Sequence, residues 1–333
     1  MLTSLWARSD TELQIVAAGA ALVTRYGSVV DQIRETFGEV VEVPSVVEGG
    51  GRRESAVSTG LLLTQMAGVL ERLRPHVVVT VADRHETLAT AVAASYQNIP
   101  LCHLQGGEES GSIDDKVRNA VTQLADLHCV ATDTAASRVW AMRPGAEVHT
   151  TGCPGVDIAA CALERGPLPG KDIVVLQHPD TDEAEDAASQ MSETLDAIRP
   201  FAERALWFWP GEDAGSEGMS KELRLAGVRP VRNMDPGTFL RTLMGSGVLV
   251  GNSSVGIREC SFLGVPVVNV GRRQIGRERG PNVADVGYDS GSIRGAVVAM
   301  MGKHCAPTTL YGDGKAGQRI AALLARGVVE RAA

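Results

Sequence analysis

Side chains able to do acid–base or anion-binding chemistry gather in this sequence just after short apolar runs. Asp83-Arg84-His85-Glu86 comes soon after residues 76–81 (HVVVTV), and Gln105-Gly106-Gly107-Glu108-Glu109 follows residues 100–104 (PLCHL). Gln177-His178-Pro179 follows residues 172–176 (DIVVL), Asn252-Ser253-Ser254 follows residues 248–251 (VLVG), and Gly271-Arg272-Arg273-Gln274 follows residues 266–270 (PVVNV). Asp83 and Asp114 could take and return a proton at carbon, with burial raising one of the two carboxyl pKa values. Each also precedes a helical stretch, so taken singly a helix cap is the simpler reading of either.

Gly251-Asn252-Ser253-Ser254-Val255-Gly256 precedes a predicted helix over residues 257–263. Small residues let the backbone approach an anion, the two hydroxyls can donate, and a helix N-terminus adds partial positive charge. Serine-rich caps are common, but Glu259 in the same helix could hold a ribose hydroxyl. Arg272, Arg273, Arg277 and Arg279 add guanidinium groups suited to a diphosphate. His178, between an apolar strand and a proline, is placed for diphosphate contact or proton transfer.

These residues need a scaffold that brings strand ends together. Residues 13–18 (LQIVAA), 76–81, 100–104 and 126–131 (DLHCVA) read as strands, with helices over 58–73, 86–96 and 116–124 between or after them. Residues 155–171 contain two prolines and several glycines and read as a linker. A second set of strands follows at 172–176, 205–209, 248–251 and 266–270. Strands apolar on both faces and alternating with helices indicate parallel sheets. The expectation is an α/β chain of two Rossmann-like domains facing a cleft, with ligands at the carboxyl ends of the strands.

The boundaries follow: residues 1–155 as a first domain carrying the sugar-side groups, 172–300 as a nucleotide-binding domain, and 301–333 as a helical segment packing back on the first. A net charge of -8 gives no basic stripe for nucleic acid. No run of eighteen apolar residues and no leader pattern is present, so the reading is a cytoplasmic protein without a membrane span. Six scattered cysteines form no C-x-x-C pair, and His103 and His128 have no ligand-spaced carboxylate or thiol. They read as buried structural groups, and no metal or cofactor is expected.

Taken together, the ordered motifs resemble the hydrolysing UDP-N-acetylglucosamine 2-epimerases. The resemblance rests on 82–86 (ADRHE), 105–108 (QGGE), 111–118 (GSIDDKVR), 177–179 (QHP), 251–254 (GNSS), 271–278 (GRRQIGRE) and Asn282-Val283. It implies a GT-B fold, no metal, and a homodimer or homotetramer. It also implies UDP-GlcNAc and UDP as ligands. In the implied reaction a base takes the C2 proton, UDP leaves by anti elimination, and water adds to the glycal to give N-acetylmannosamine. By the same resemblance Asp83 and Asp114 match catalytic carboxylates, while Arg84, His178, Ser253, Ser254, Glu259 and Arg273 match groups that hold UDP.

Two departures keep other readings open. Gln105 stands where several relatives place a catalytic glutamate, which leaves Glu108 as the nearest acid. Residues 1–10 lead directly onward, as though the first βα unit were absent. A non-hydrolysing epimerase that returns UDP to the glycal is one alternative. A nucleotide-sugar-binding chain without turnover is another, and a glycosyltransferase is a third that residues 273–278 (RQIGRE) disfavour.

Overall fold

The computed structural model describes residues 1–24, 29–47, 51–211 and 213–327. The chain divides into two compact units, one of residues 1–108, 114–154 and 315–333, the other of 109–113 and 155–314.

In the first unit four parallel strands lie in sequence order: β3 (Val78–Val81), β4 (Leu101–Leu104), β5 (Leu127–Val130) and β6 (Glu147–Thr150). A separate parallel pair joins β1 (Val16–Ala18) to β2 (Val41–Val43). Alternation along β4 decides which helices cover which face. Leu101 packs with Leu62, Met66 and Leu70 of α3 (Arg52–Leu73) and with the alanines of α4 (His85–Tyr96). Cys102 and Leu104 pack with Leu5 of α1 (Leu2–Trp6) and with Ala316, Ile320 and Leu324 of the last helix, Ala316–Gly327. The sheet is therefore apolar on both faces, as covered parallel sheets are.

The second unit holds five parallel strands in the order β11-β10-β9-β7-β8. They are β7 (Ile173–Leu176), β8 (Ala205–Trp207), β9 (Val248–Gly251), β10 (Val267–Val270) and β11 (Val283–Val286). Ile173, Val175, Val248, Val250, Val268 and Val270 enter one core cluster, and the intervening Val174, Leu249 and Val267 enter another. From β7 the chain passes to β8 on one side and later to β9 on the other. The order therefore reverses between β7 and β9, which is where an open α/β sheet leaves a crevice at its carboxyl edge.

Several expectations need correction. Residues 155–171 are not all linker: Pro154–Arg165 is a helix, α7, whose Val156, Ala159 and Ala162 are buried. Both prolines of the stretch, Pro167 and Pro169, lie beyond its end. A glycine inside a helix costs about 1 kcal/mol. Burying one valine contributes about 1.5–3 kcal/mol, so packing outweighs Gly155. The predicted helix over 257–263 is two short pieces, α11 (Ser254–Ile257) and α12 (Glu259–Leu263), broken at Arg258. Residues 301–314 stay with the second unit, while residues 315–327 belong to the first. The chain opens with α1, and β1 and β2 pair apart from β3 to β6 instead of extending that sheet.

Candidate functional site

The first unit concentrates carboxylates at the ends of β3 and β4 around one buried guanidinium. Arg118, on α5 (Ile113–Leu124), is 0% exposed and pairs with Asp83 and with Asp115, one turn before it on the same helix. Its Nη1 also donates to the Glu108 carbonyl at 2.7 Å. Burial works against this charge, but Asp83, Glu108 and Asp115 outweigh it and hold the guanidinium pKa above its ordinary value. A buried cation without such partners would be costly, which explains why the acids collect here.

Asp83 is not a helix cap. The N-cap of α4 is Arg84, with no side-chain cap bond, so the capping reading fails and the carboxylate serves Arg118 instead. Asp114 is the second residue of α5 and half-buried. Glu108 is 5% exposed, and the structure brings it to the Arg118 cluster. Gln105 turns elsewhere: its backbone is left-handed, with φ 63, and its amide donates to Cys153 Sγ at 3.1 Å. Arg84 is largely solvent-facing, with Nε donating to Glu86 at 3.2 Å.

In the second unit the crevice between β7 and β9 is locked by one side chain. Asn252 is fully buried, accepts from the His178 N–H at 2.7 Å and donates to the His178 carbonyl at 2.9 Å. Asn252→Ala would leave both His178 backbone groups without these partners. The expected cost is about 1–3 kcal/mol of unfolding free energy, measured by urea titration; an unchanged midpoint would contradict it. The Gly211 N–H donates to His178 Nδ1 at 2.9 Å. Nδ1 is thus an acceptor, and a neutral His178 carries its proton on Nε2, as a donor.

Ser253 caps α11, its Oγ accepting from the Val255 N–H. Ser254 Oγ accepts from Arg258 Nη2 at 2.8 Å. Glu259, at the head of α12, is 8% exposed with Arg258 Nε 4.0 Å away. Arg273 Nη2 lies 3.5 Å from Asp213. Two of the four arginines singled out above serve the loop itself. Arg279 donates to the Gln274 carbonyl and pairs with Asp285, and Arg277 donates to the Gln274 side chain. Gln274, fully buried, donates to the Asn252 carbonyl at 2.8 Å and ties this loop to the end of β9.

Sequence reasoning passed over Tyr288, and it gave Asn252, Gln274 and Arg118 no role of their own although all three stand in its motifs. A Cβ on Gly271 would lie 2.2 Å from Tyr288 Cζ, so the tyrosine ring lies directly against the end of β10. Burial pushes the Tyr288 phenol up, with Asp180 and Glu183 adding to it. Asn252 stands directly after β9, where a polar residue is marked, but nothing local tells that its amide reaches across to the backbone of His178. Among the described residues no three His, Cys, Asp or Glu side chains are grouped to share a metal ion, and no helix is long and apolar enough to cross a membrane.

A family model described as UDP-N-acetylglucosamine 2-epimerase matches residues 3–325. A Legionella pneumophila protein named UDP-N,N'-diacetylbacillosamine 2-epimerase (hydrolyzing) is 32% identical, the alignment covering 97% of this chain and 90% of that protein. A Neisseria meningitidis UDP-N-acetylglucosamine 2-epimerase is 27% identical over 91% of this chain and 84% of its own. The crystal structure of a UDP-GlcNAc 2-epimerase from that species, bound to UDP-GlcNAc, superposes with a TM-score of 0.78 at 16% identity, covering 98% of this chain and 95% of the other. That likeness assigns the fold, an α/β arrangement of the GT-B kind.

Proposed function

This chain belongs to the UDP-N-acetylglucosamine 2-epimerase family, and on that premise we propose that it hydrolyses UDP-GlcNAc to N-acetylmannosamine and UDP. In the α-linked substrate the C2 hydrogen and the C1 diphosphate are both axial and antiparallel, so anti elimination needs no change of ring shape. A base removes the C2 proton while the C1–O bond breaks, giving UDP and 2-acetamidoglucal. Water then delivers oxygen to C1 and a proton to the opposite face of C2. The C2 proton is only weakly acidic, so charge on the departing diphosphate is where binding groups lower the barrier most.

The observation that carries this reading is the collection of Asp83, Glu108 and Asp115 around the buried Arg118 at the ends of β3 and β4. Asp83 and Asp114 exchange the proton at C2, and Glu108 supplies the acid that Gln105 does not. His178, with Nε2–H as donor, binds a diphosphate oxygen and is unsuited to act as the base. Ser253, Ser254, Glu259, Arg273 and Arg84 complete the hold on UDP. Incubation with UDP-GlcNAc followed by NMR should show free UDP and N-acetylmannosamine. UDP-N-acetylmannosamine as the product would point instead to the non-hydrolysing reaction, and UDP binding without any product would overturn catalysis.

A second reading concerns the sugar. The relative at 32% identity is named for UDP-N,N'-diacetylbacillosamine, so a 4-acetamido sugar is the alternative substrate. Comparing kcat/KM for the two nucleotide sugars decides between them.

The same reading includes a cytoplasmic homodimer or homotetramer. Helix α3 carries no charged residue between Glu54 and Glu71, yet Val57 and Leu61 on it are 41% and 46% exposed. An uncharged face on a long surface helix suits self-association. Leu61→Glu should lower the mass seen by light scattering to that of a single chain; an unchanged mass would remove α3 from the interface.

A further inference from the structure

Two loop turns and one helix of the first unit meet at a single imidazole. His103, on β4, is fully buried, and its Nε2 lies 3.0 Å from the Ala82 carbonyl. A carbonyl can only accept, so Nε2 carries the hydrogen. Nδ1 is then bare, and Thr122 Oγ1 on α5 lies 3.3 Å from it, with its hydroxyl as the donor. The tautomer is thereby fixed from both sides.

Both loops that carry the acids rest on this pair. Ala82 has φ 59, a left-handed backbone that alanine disfavours. It is pinned twice to β4, with its N–H donating to the Leu104 carbonyl at 2.9 Å and its own carbonyl accepting from His103. Asp83 is the next residue. On the other loop, a Cβ on Gly106 would lie 3.0 Å from His103 Nδ1 and 3.1 Å from Thr122 Oγ1, so the Gly106 backbone sits directly against the same two side chains. Burial lowers the His103 pKa to about 4, partly countered by the bond to Ala82. The ring is therefore neutral near pH 7 and takes no proton from the substrate.

We propose that His103, held as the Nε2–H tautomer by Thr122, is the positioning residue that fixes Asp83 and the Gly106 turn for chemistry at C2. The proposal rests on the epimerase reading above for what Asp83 does, but the bonding pattern does not depend on it. Thr122→Val keeps the side-chain shape and removes the hydroxyl that donates to Nδ1, leaving the Ala82 carbonyl alone to hold the ring. Misplacing a reacting group by about 1 Å can cost ~10²-fold in rate. We expect kcat to fall ~10-fold to 10²-fold, KM and UDP affinity to hold within about twofold, and Thr122→Ser to restore the rate.

Nitrogen-15 NMR of histidine-labelled protein supplies the arm that needs no turnover. The native His103 should show a protonated Nε2 and a bare Nδ1, and in Thr122→Val the amide signals of Asp83 and Gly106 should shift. A protonated Nδ1 in the native protein, unmoved amide signals, or a Thr122→Val enzyme with native kcat each overturns the positioning role. A lower melting temperature with native kcat per folded molecule would leave Thr122 a packing residue only, and so also overturns it. If the native protein turned over neither nucleotide sugar, the epimerase reading would fail while the NMR arm still decided the geometry.

Discussion

Asp83→Asn is expected to lower kcat by ~10²-fold to 10⁴-fold, the usual worth of a positioned acid or base, with UDP affinity nearly unchanged. Asn keeps the shape of the side chain but cannot accept a proton. UDP affinity is the informative control, because the proposed UDP-holding groups are almost all on the second unit. The substitution has a second consequence that a helix cap would not have. Asp83 pairs with the fully buried Arg118, and removing one partner of a buried ion pair typically costs about 3–5 kcal/mol. Asp115 and the Glu108 carbonyl remain on the guanidinium, so the loss should fall below that range. Urea titration beside the kinetic assay separates the two effects. A variant that unfolds more easily but turns over at the native rate would make Asp83 a structural counter-ion to Arg118 and nothing more.

What the sequence made legible follows from how local each signal is. Runs of Val, Ile and Leu with polar residues directly after them marked β3, β4, β7, β9 and β10, and the polar residues proved to lie at strand ends. Strands without an apolar run were missed: β6 is Glu-Val-His-Thr, half exposed, and β2 is only three residues long. The glycine content around α7 concealed a helix whose buried stripe of Val156, Ala159 and Ala162 is made of small residues. Arg273 and Arg279 look alike in sequence, yet Arg279 is taken up by Asp285 and the Gln274 carbonyl. Arg273 instead lies beside Asp213, and which guanidinium closes the loop depends on contacts between residues far apart in the chain. Asn252 and Arg118 stood in motifs, but their bonding roles were unassigned for the same reason.

The same kind of long-range contact makes the protein acid-sensitive in a window that its carboxylates do not explain. His103 and His128 sit opposite each other on β4 and β5, both 0% exposed, with ring centroids 6.4 Å apart. Burial lowers each pKa from 6.5 to about 4; the Arg118 charge adds to this for His103, and His103 and Arg143 add to it for His128. The folded protein therefore keeps both rings neutral where the unfolded chain protonates them. Stability rises with pH wherever the unfolded state binds more protons, so these groups cost nothing above pH ~7 and the penalty grows as pH falls from ~6.5 towards ~4. At one pKa unit per 1.36 kcal/mol, each ring should remove roughly 2 kcal/mol between pH 7 and pH 5, where ordinary carboxylates are still ionised. Urea unfolding at pH 7, 6 and 5 should show that loss, and His128→Gln should remove about half of the slope. A flat profile across this window would mean that both rings are protonated in the folded state, and a slope that survives the loss of His128 would mean that His128 is. For His103 that outcome would also break the bond pattern that places Asp83, because a protonated Nδ1 could no longer accept from Thr122.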